Sequence, residues 1–370
     1  MAQSTAYNMD SSRGAREDLS DQLRRVEPQE TPLFSLLPSS SAPNALFTEW
    51  NVDDLGAPNI DPVLDGTDLQ FRGAVSIAST GSPGLAGNGD FADKFVNKAR
   101  MGNRIQQLRT GFTVSPLAEQ IAIAGLGNIY ADAKAKASLE LKRSIEVMLG
   151  SDEVGASSTS TLGDISAGLG AFTNPSNSSG TYWHSGGIGG SASNYRPVAG
   201  SRLTMTVSGG TDKTLVEGFG TVGSGSVSLR SMLQAVYEAS GMKANFRLFA
   251  SPSIINAISD FTRTSAGSTR FNQQISGGGS VSLSVKEYES DYGTLTVIPD
   301  LFLGRTRSAP ATAVANRAYL LPADDTVSVK TLQGVTAVDL PDIGGGGKRG
   351  YVTFTGTLCA LNGKHLGSIV

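Results

Sequence analysis

The chain has 370 residues, a formal net charge of −3, 45 glycines and only 17 % charged residues. This length provides for one large or two ordinary domains, and so much glycine indicates many turns and extended segments. The acidic balance argues against tight nucleic-acid binding by the chain as a whole, and Cys359 alone cannot form a disulfide framework. Without a long apolar run or a basic leader, we expect no membrane segment and synthesis in the cytosol.

Residues 1–45 are predicted to form an arm without a core of its own, because polar residues give way to a proline-punctuated stretch. Its apolar side chains would each cost roughly 1.5–3 kcal/mol if they stayed in water. We therefore expect Leu33, Phe34 and Leu36 to contact a neighbouring subunit, so that deletion of residues 1–38 leaves the subunit folded. A frayed terminus is the alternative interpretation.

Residues 46–114 are predicted to form two strands that flank a long loop. Residues 45–55 alternate between apolar and polar, and residues 98–114 supply the second strand. The turn-rich stretch between them cannot bury much of itself. The aromatic residues Trp50, Phe91 and Phe95 are therefore further candidates for contacts between subunits.

Residues 115–150 are predicted to form a long helix, with Ser115 as its cap, Pro116 in the first turn and Gly150 at its end. Gly125 and Gly127 each cost about 1 kcal/mol relative to Ala, so the first turns are expected to kink or to form a separate piece.

One face of this helix carries apolar residues at helical spacing and is predicted to be core. The opposite face carries opposite charges four residues apart, of which Lys142 and Glu146 are one pair, and is expected to face solvent. The predicted core residues of this helix are Leu126, Tyr130, Leu141, Ile145 and Met148.

The remaining chain divides into three parts. Residues 151–225 are rich in Gly and Ser and are interpreted as surface loops or a small inserted lobe. Residues 226–320 begin with a helix–strand–helix unit, whose first helix ends at Gly241 and whose second begins at Pro252. Residues 321–370 are mostly β. The fold class is therefore α+β.

Motifs for catalysis are missing from the sequence. The two histidines, His184 and His365, have no neighbours at catalytic or metal-binding spacing. The segment IGGGGKRG lacks the first glycine and the hydroxyl residue of a phosphate loop, and Cys359 lies in an apolar strand. We therefore predict no enzyme activity and no catalytic, cofactor-binding or metal-binding residues.

The order of these parts resembles that of the major capsid proteins of tailed bacteriophages, which have the Hong Kong 97-type fold. In such a fold the arm and the extended loop reach neighbouring subunits, 115–150 is the spine helix of a peripheral domain that 321–370 completes, and 226–320 is an axial lobe. The resemblance does not extend over residues 151–225. The segments that carry it are 16–38 (REDLSDQLRRVEPQETPLFSLLP), 47–55 (FTEWNVDDL), 98–115 (KARMGNRIQQLRTGFTVS), 139–150 (LELKRSIEVMLG), 288–300 (YESDYGTLTVIPD) and 352–369 (VTFTGTLCALNGKHLGSI).

This resemblance implies a structural major head protein of the virion that self-assembles into an icosahedral shell of pentamers and hexamers around double-stranded DNA. Its expected partners are further copies of itself and a portal protein, with scaffold and decoration proteins as further candidates. We expect no membrane contact and no sequence-specific DNA binding. An encapsulin-type bacterial compartment is the alternative with the same fold, and a Gly/Ser-rich β hydrolase or adhesin is the alternative from another class.

Overall fold

The computed structural model describes residues 30–42, 44–53, 65, 99–120, 127–175, 196–205, 214–216, 226–241, 243–260, 287–312, 314, 316–341 and 347–370. Phe91, Phe95, Leu126 and His184 lie outside these residues. The helices are α1 (Pro32–Leu36), α2 (Pro116–Gln120), α3 (Ile129–Leu149), α4 (Leu169–Phe172), α5 (Leu229–Ser240) and α6 (Pro252–Asp260), with short 3₁₀ turns at Ala199–Ser201 and Gly363–His365. The strands are β1 (Ser39–Ser41), β2 (Phe47–Val52), β3 (Ala99–Arg104), β4 (Gln106–Val114), β5 (Arg202–Leu203), β6 (Thr214–Val216), β7 (Ser226–Ser228), β8 (Ala244–Ala250), β9 (Glu287–Ser290), β10 (Gly293–Pro299), β11 (Ala318–Pro322), β12 (Val327–Leu340), β13 (Lys348–Ala360) and β14 (Gly367–Ile369).

A four-stranded sheet in the order β1-β12-β13-β4 carries α3 on one face. β13 pairs antiparallel with the strands on both its sides. Val352 and Phe354 are two residues apart on β13, so they point to the same face, and both are completely buried in the core that includes α3. We call this cluster the first core.

The predicted helix 115–150 is two helices, which agrees with the expected separate piece. The hydroxyl of Ser115 accepts the N–H of Ala118 and caps α2, and the side chain of Asn128 accepts the N–H of Ala131 and starts α3. Both caps satisfy N–H groups that a helix leaves unpaired in its first turn. The long helix therefore begins at residue 129, after the glycine that weakens the preceding turn.

The structure buries Leu141, Ile145 and Met148 of α3 in the first core. Tyr130, predicted with them, lies half-buried at the edge instead, where its ring contacts Phe112 and its hydroxyl donates to Asp339. Its phenol needs a polar partner, and the end of the β12–β13 hairpin supplies one.

Glu146 corrects the prediction of a charged solvent face, because its side chain is completely buried. It cannot form the predicted surface pair with Lys142. Helical spacing alone places residue 146 beside Ile145 at the edge of the apolar stripe. The local sequence does not indicate whether another part of the chain buries this edge or leaves it in solvent.

The second sheet has six strands in the order β5-β14-β11-β8-β10-β9, and its central strands β8 and β11 pack against a core on each face. In β8, Phe249 points into the first core, whereas Phe246 and Leu248 point into a second core beneath α5 and α6. Burial on both faces explains the continuous apolar sequence of β11 and of residues 248–250 in β8. The predicted helix–strand–helix unit is confirmed, and Gly241 ends α5 in the left-handed conformation with φ of 67°.

Two predicted boundaries change. Within the predicted strand 98–114, the described residues 99–114 form two strands, β3 and β4, with Ile105 between them, and each belongs to a different sheet. β14 returns to the six-stranded sheet beside β11, so the closing β segments do not all join the four-stranded sheet.

The interpretation of residues 151–225 as surface loops or an inserted lobe is wrong for residues 151–173. Leu169 and Phe172 of α4 are completely buried in the first core. Tyr319 of the second sheet donates its hydroxyl proton to Asp152, which also forms an ion pair of 2.6 Å with Arg317. This stretch therefore connects the end of α3 to the six-stranded sheet.

Candidate assembly surfaces

The apolar part of the predicted arm is anchored on its own subunit. Leu33 is completely buried in the first core, and the ring of Phe34 packs edge-to-face on Phe354 with 5.9 Å between centroids. The prediction that Leu33 serves a neighbour is therefore wrong, and Phe34 is largely engaged within the subunit. The four apolar residues of the segment LFSLL, residues 33–37, signal burial but do not indicate which chain provides it.

Two hydrogen bonds, one buried and one partly buried, fix this anchor to α3. The carboxyl of Glu146 accepts the N–H of Leu33 at 2.6 Å and the N–H of Phe34 at 2.8 Å. These N–H groups belong to the first turn of α1, which has no intrahelical acceptors for them. Burial and the nearby Asp300 raise the pKa of Glu146 to about 8.

Leu36 is the predicted contact residue of the arm that remains accessible, with 42 % of its surface exposed. Its carbonyl accepts a hydrogen bond of 3.1 Å from Arg247. Directly after it, β1 pairs in parallel with β12 and extends the four-stranded sheet. The chain is thus held from residue 31 to residue 42.

The base of the predicted extended loop is the antiparallel pair β2–β3. Asn103 of β3 is buried and donates to the carbonyls of Leu358 at 2.8 Å and Ala167 at 3.1 Å, while its side-chain oxygen accepts the N–H of Ala167 at 2.9 Å. Arg104 adds an ion pair of 3.3 Å with Asp164. The two ends of the loop therefore leave from a fixed point on the subunit.

Trp50, the predicted contact residue of β2, is half-buried and packs against the first core, with its ring 6.4 Å from that of Phe172. Opposite it in the ladder, Met101 is completely buried. Trp50 therefore helps to seat the loop base on its own subunit, and only its uncovered part is available to a neighbour.

A groove of about 720 Å³ lies beside this base, and we call it the leucine groove. Leu46 and Leu332 line it with 74 % and 46 % of their surfaces exposed, together with Ile105. Exposed leucines that share one depression are typical of a surface covered by another chain.

A second groove of about 460 Å³ runs along the end of α3, and we call it the arginine groove. Arg143 and Arg305 stand over the ring of Phe302, at 5.7 and 4.8 Å from its centroid. Arg305 also donates to the carbonyls of Leu301 and Pro310, both at 2.8 Å. Besides these arginines the groove is lined by Glu140 and Glu153, so it combines charges of both signs with an apolar floor that includes Met148.

Reactive groups do not converge in the described part of the chain. No group of three potential metal ligands occurs among these residues. Burial raises the pKa of the Cys359 thiol to about 11 and lowers the pKa of His365. No helix within the described residues is long and apolar enough to cross a membrane. The surface features described above are the anchored residues 31–42, the base of the loop and the two grooves.

Comparisons with known proteins point in the same direction. The family model described as SU10 major capsid protein matches residues 2–370. No curated protein matches the chain. The capsid protein of a native GTA particle is similar in structure, with a TM-score of 0.56 and 11 % identity over 98 % of both chains. A structure from Mycobacterium phage Adephagia is similar with a TM-score of 0.52 and 11 % identity, over 96 % of this chain and 94 % of that one. A structure from Mycobacterium phage Bobi is similar with a TM-score of 0.51 and 10 % identity, over 96 % of this chain and 95 % of that one.

Proposed function

This chain belongs to the SU10 major capsid protein family, and we propose that it assembles as pentamers and hexamers into an icosahedral shell around double-stranded viral DNA. As a member of this family it is a structural shell protein of the virion and not an enzyme. We propose further that it is made in the host cytoplasm, that a portal protein joins the shell, and that scaffold or decoration proteins are additional partners.

The observation that best supports assembly is the pairing of anchored extensions with open grooves. Residues 31–42 of the predicted arm are held on the subunit, and β2 and β3, which flank the predicted loop, are paired with each other. We propose that residues 1–29, 54–64 and 66–98, which lie outside the described residues, contact neighbouring subunits. The leucine groove and the arginine groove offer apolar surface that a lone subunit leaves in water. Burial of such surface between copies contributes about 25 cal/mol per Å².

Non-covalent contacts are expected to hold the shell together. Cys359 is buried, so it is not placed for a disulfide between subunits. Every subunit in a closed shell touches several others, and many modest contacts then sum to a stable particle. Shells boiled in detergent without reductant should run as one band near 38.3 kDa. A ladder of multimers would contradict this expectation.

The net charge of −3 supports a shell that confines DNA without binding its sequence. Strong binding to the phosphate backbone requires many basic contacts and weakens steeply with salt. Particles isolated from infected cells should therefore contain DNA, whereas the purified subunit should show no sequence preference in a binding assay.

The decisive experiment is expression of the chain alone, followed by analytical ultracentrifugation and electron microscopy. Capsomers or closed shells are expected, and a stable monomer at tens of micromolar would overturn the proposal.

Two deletions form a matched pair for the role of the arm. Deletion of residues 1–29 should leave circular dichroism unchanged but impair shell formation. Deletion of residues 1–38 removes Leu33 from the first core and should destabilise the subunit itself. Normal assembly after the shorter deletion would exclude a role for residues 1–29 in subunit contacts.

A further inference from the structure

Glu146 occupies an unusual position for a carboxylate, because it is completely buried between α3, α1 and the segment that follows β10. Its partners on α1 are the N–H groups of Leu33 and Phe34, one for each carboxyl oxygen. α1 has the sequence PLFSL and brings no charged side chain to the site. The two N–H groups by themselves do not replace the hydration that a carboxylate loses on burial.

Asp300 is the second buried carboxyl at this place. It follows β10, and its Oδ1 accepts the N–H of Phe302 at 2.8 Å. Its Oδ2 is buried, and no N–H or O–H of the described residues donates to it when both carboxyls are ionised. Asp300 and Glu146 are nevertheless close enough to share a side-chain hydrogen bond, which requires a proton on one of them.

We propose that Glu146 and Asp300 share one proton while α1 is docked, and that loss of this proton releases residues 31–37 from α3. The proton lies between one oxygen of each carboxyl, so the pair carries a single negative charge. In this state the orphaned oxygen of Asp300 has a donor, and both carboxyl oxygens of Glu146 still accept from α1. Without the proton, two buried negative charges repel each other, and release of α1 exposes Glu146 to water.

The other charged groups around the site favour one negative charge and not two. Arg305 lies near Asp300 and stabilises its ionised form, but its guanidinium is already engaged with the carbonyls of Leu301 and Pro310. Arg143, one turn before Glu146 on α3, stands over the ring of Phe302. On the side of the four-stranded sheet, α1 packs against the uncharged ring of Phe354 in β13 through Phe34.

The pH dependence follows from the direction of the shift. Burial and Asp300 raise the pKa of Glu146 from an ordinary value of 4.5 to about 8 in the folded subunit. The pKa of Asp300 is raised as well, mainly by burial. A raised pKa means that the docked state binds protons more tightly than the undocked state, so docking is strongest below about 4.5 and weakens as pH rises to about 8.

Hydrogen exchange measured by mass spectrometry tests this proposal on the full chain in its assembled form. Protection factors of the amides in residues 31–37 are compared at pH 5.5 and 8.5, each normalised to the intrinsic exchange rate at that pH. In the wild type they should fall by roughly tenfold or more over this range. Protection that does not change with pH would overturn the proposal.

Asp300→Asn supplies the discriminating variant. The amide retains the acceptor for the N–H of Phe302 and gives Glu146 an N–H donor, so docking no longer needs the proton and protection should become independent of pH. Asp324→Asn is the matched control, because Asp324 also accepts the N–H of the residue two positions on, Thr326, at 3.0 Å. It should keep the pH response of the wild type. If the protection factors of residues 31–37 fall between pH 5.5 and 8.5 in Asp300→Asn as they do in the wild type, the proposal is overturned.

Infrared spectroscopy of the wild type gives a readout that does not depend on any variant folding. At pH 7, where ordinary Asp and Glu side chains are ionised, the C=O stretch of a protonated carboxylic acid should be present, and it should disappear as pH rises to 8.5 in step with the loss of protection. If this band is missing at pH 7, or persists while protection falls, Glu146 and Asp300 do not share the proton that holds α1.

Discussion

Replacement of Asn103 by Asp tests whether one buried amide holds the loop base to the subunit. The change keeps the shape of the side chain and the oxygen that accepts the N–H of Ala167. It replaces the NH₂ group by an oxygen that faces the carbonyls of Leu358 at 2.8 Å and Ala167 at 3.1 Å. The amide nitrogen also donates to the hydroxyl oxygen of Ser166 at 3.2 Å. Its hydrogen bonds to the two carbonyls and to this hydroxyl are lost, and the two carbonyls then face a third acceptor.

The cost can be worked out from these contacts. Each lost hydrogen bond contributes about 1 kcal/mol net, and a buried polar group left without a partner costs about 1–3 kcal/mol. We therefore expect Asn103→Asp to lower the free energy of unfolding by about 3–5 kcal/mol, a large share of the typical total of about 5–15 kcal/mol. Part of the loss should be recovered at acidic pH, where a protonated carboxyl can again donate to one carbonyl.

Chemical denaturation of the unassembled subunit, followed by circular dichroism, measures this free energy. Asn128→Asp is the matched control, because Asn128 is an exposed cap of α3 and Asp serves equally well at that position. The control should stay within about 0.5 kcal/mol of the wild type. If Asn103→Asp is equally mild, the amide network does not stabilise the loop base.

Two further pairs of substitutions test the corrected core. Leu33→Ala should lower the free energy of unfolding by about 2–5 kcal/mol in the same denaturation assay. Leu36→Ala should barely change subunit stability and should impair shell formation instead. Equal effects on subunit stability would contradict the assignment of Leu33 to the first core. At Gly170 a Cβ would collide with Oδ1 of Asp152 and stand 2.9 Å from its Cα, so Gly170→Ala should lower the melting temperature markedly, while Gly163→Ala meets nothing within 4 Å and should not. Similar melting temperatures for both glycine variants would show that residues 151–173 are not fixed as described.

Local sequence signals predicted the elements whose pattern is self-contained. The apolar spacing and the glycine at 241 were sufficient for α5, and Ser115 marked a helix start. The sequence could not predict partners that lie far away in the chain. Glu146 has the spacing of a surface charge, and its burial depends on residues more than 100 positions earlier. Asn103 sits in an ordinary polar strand, and nothing nearby indicates that residue 358 needs its amide.

The first core has a consequence for the order in which the chain can fold during synthesis. Leu33 and Leu366 pack in this same core, and Ser39 of β1 pairs with Val329 of β12. Residues 33–37 can therefore contact α3 once residues 129–149 have been made, but their partners in β12, β13 and at Leu366 are completed only near the end of this sequence. Contacts between such distant residues form slowly, and unpaired apolar segments and strand edges aggregate while they wait. The interval between the synthesis of Leu33 and the synthesis of β13 is thus the period in which the chain exposes most apolar surface to a chaperone.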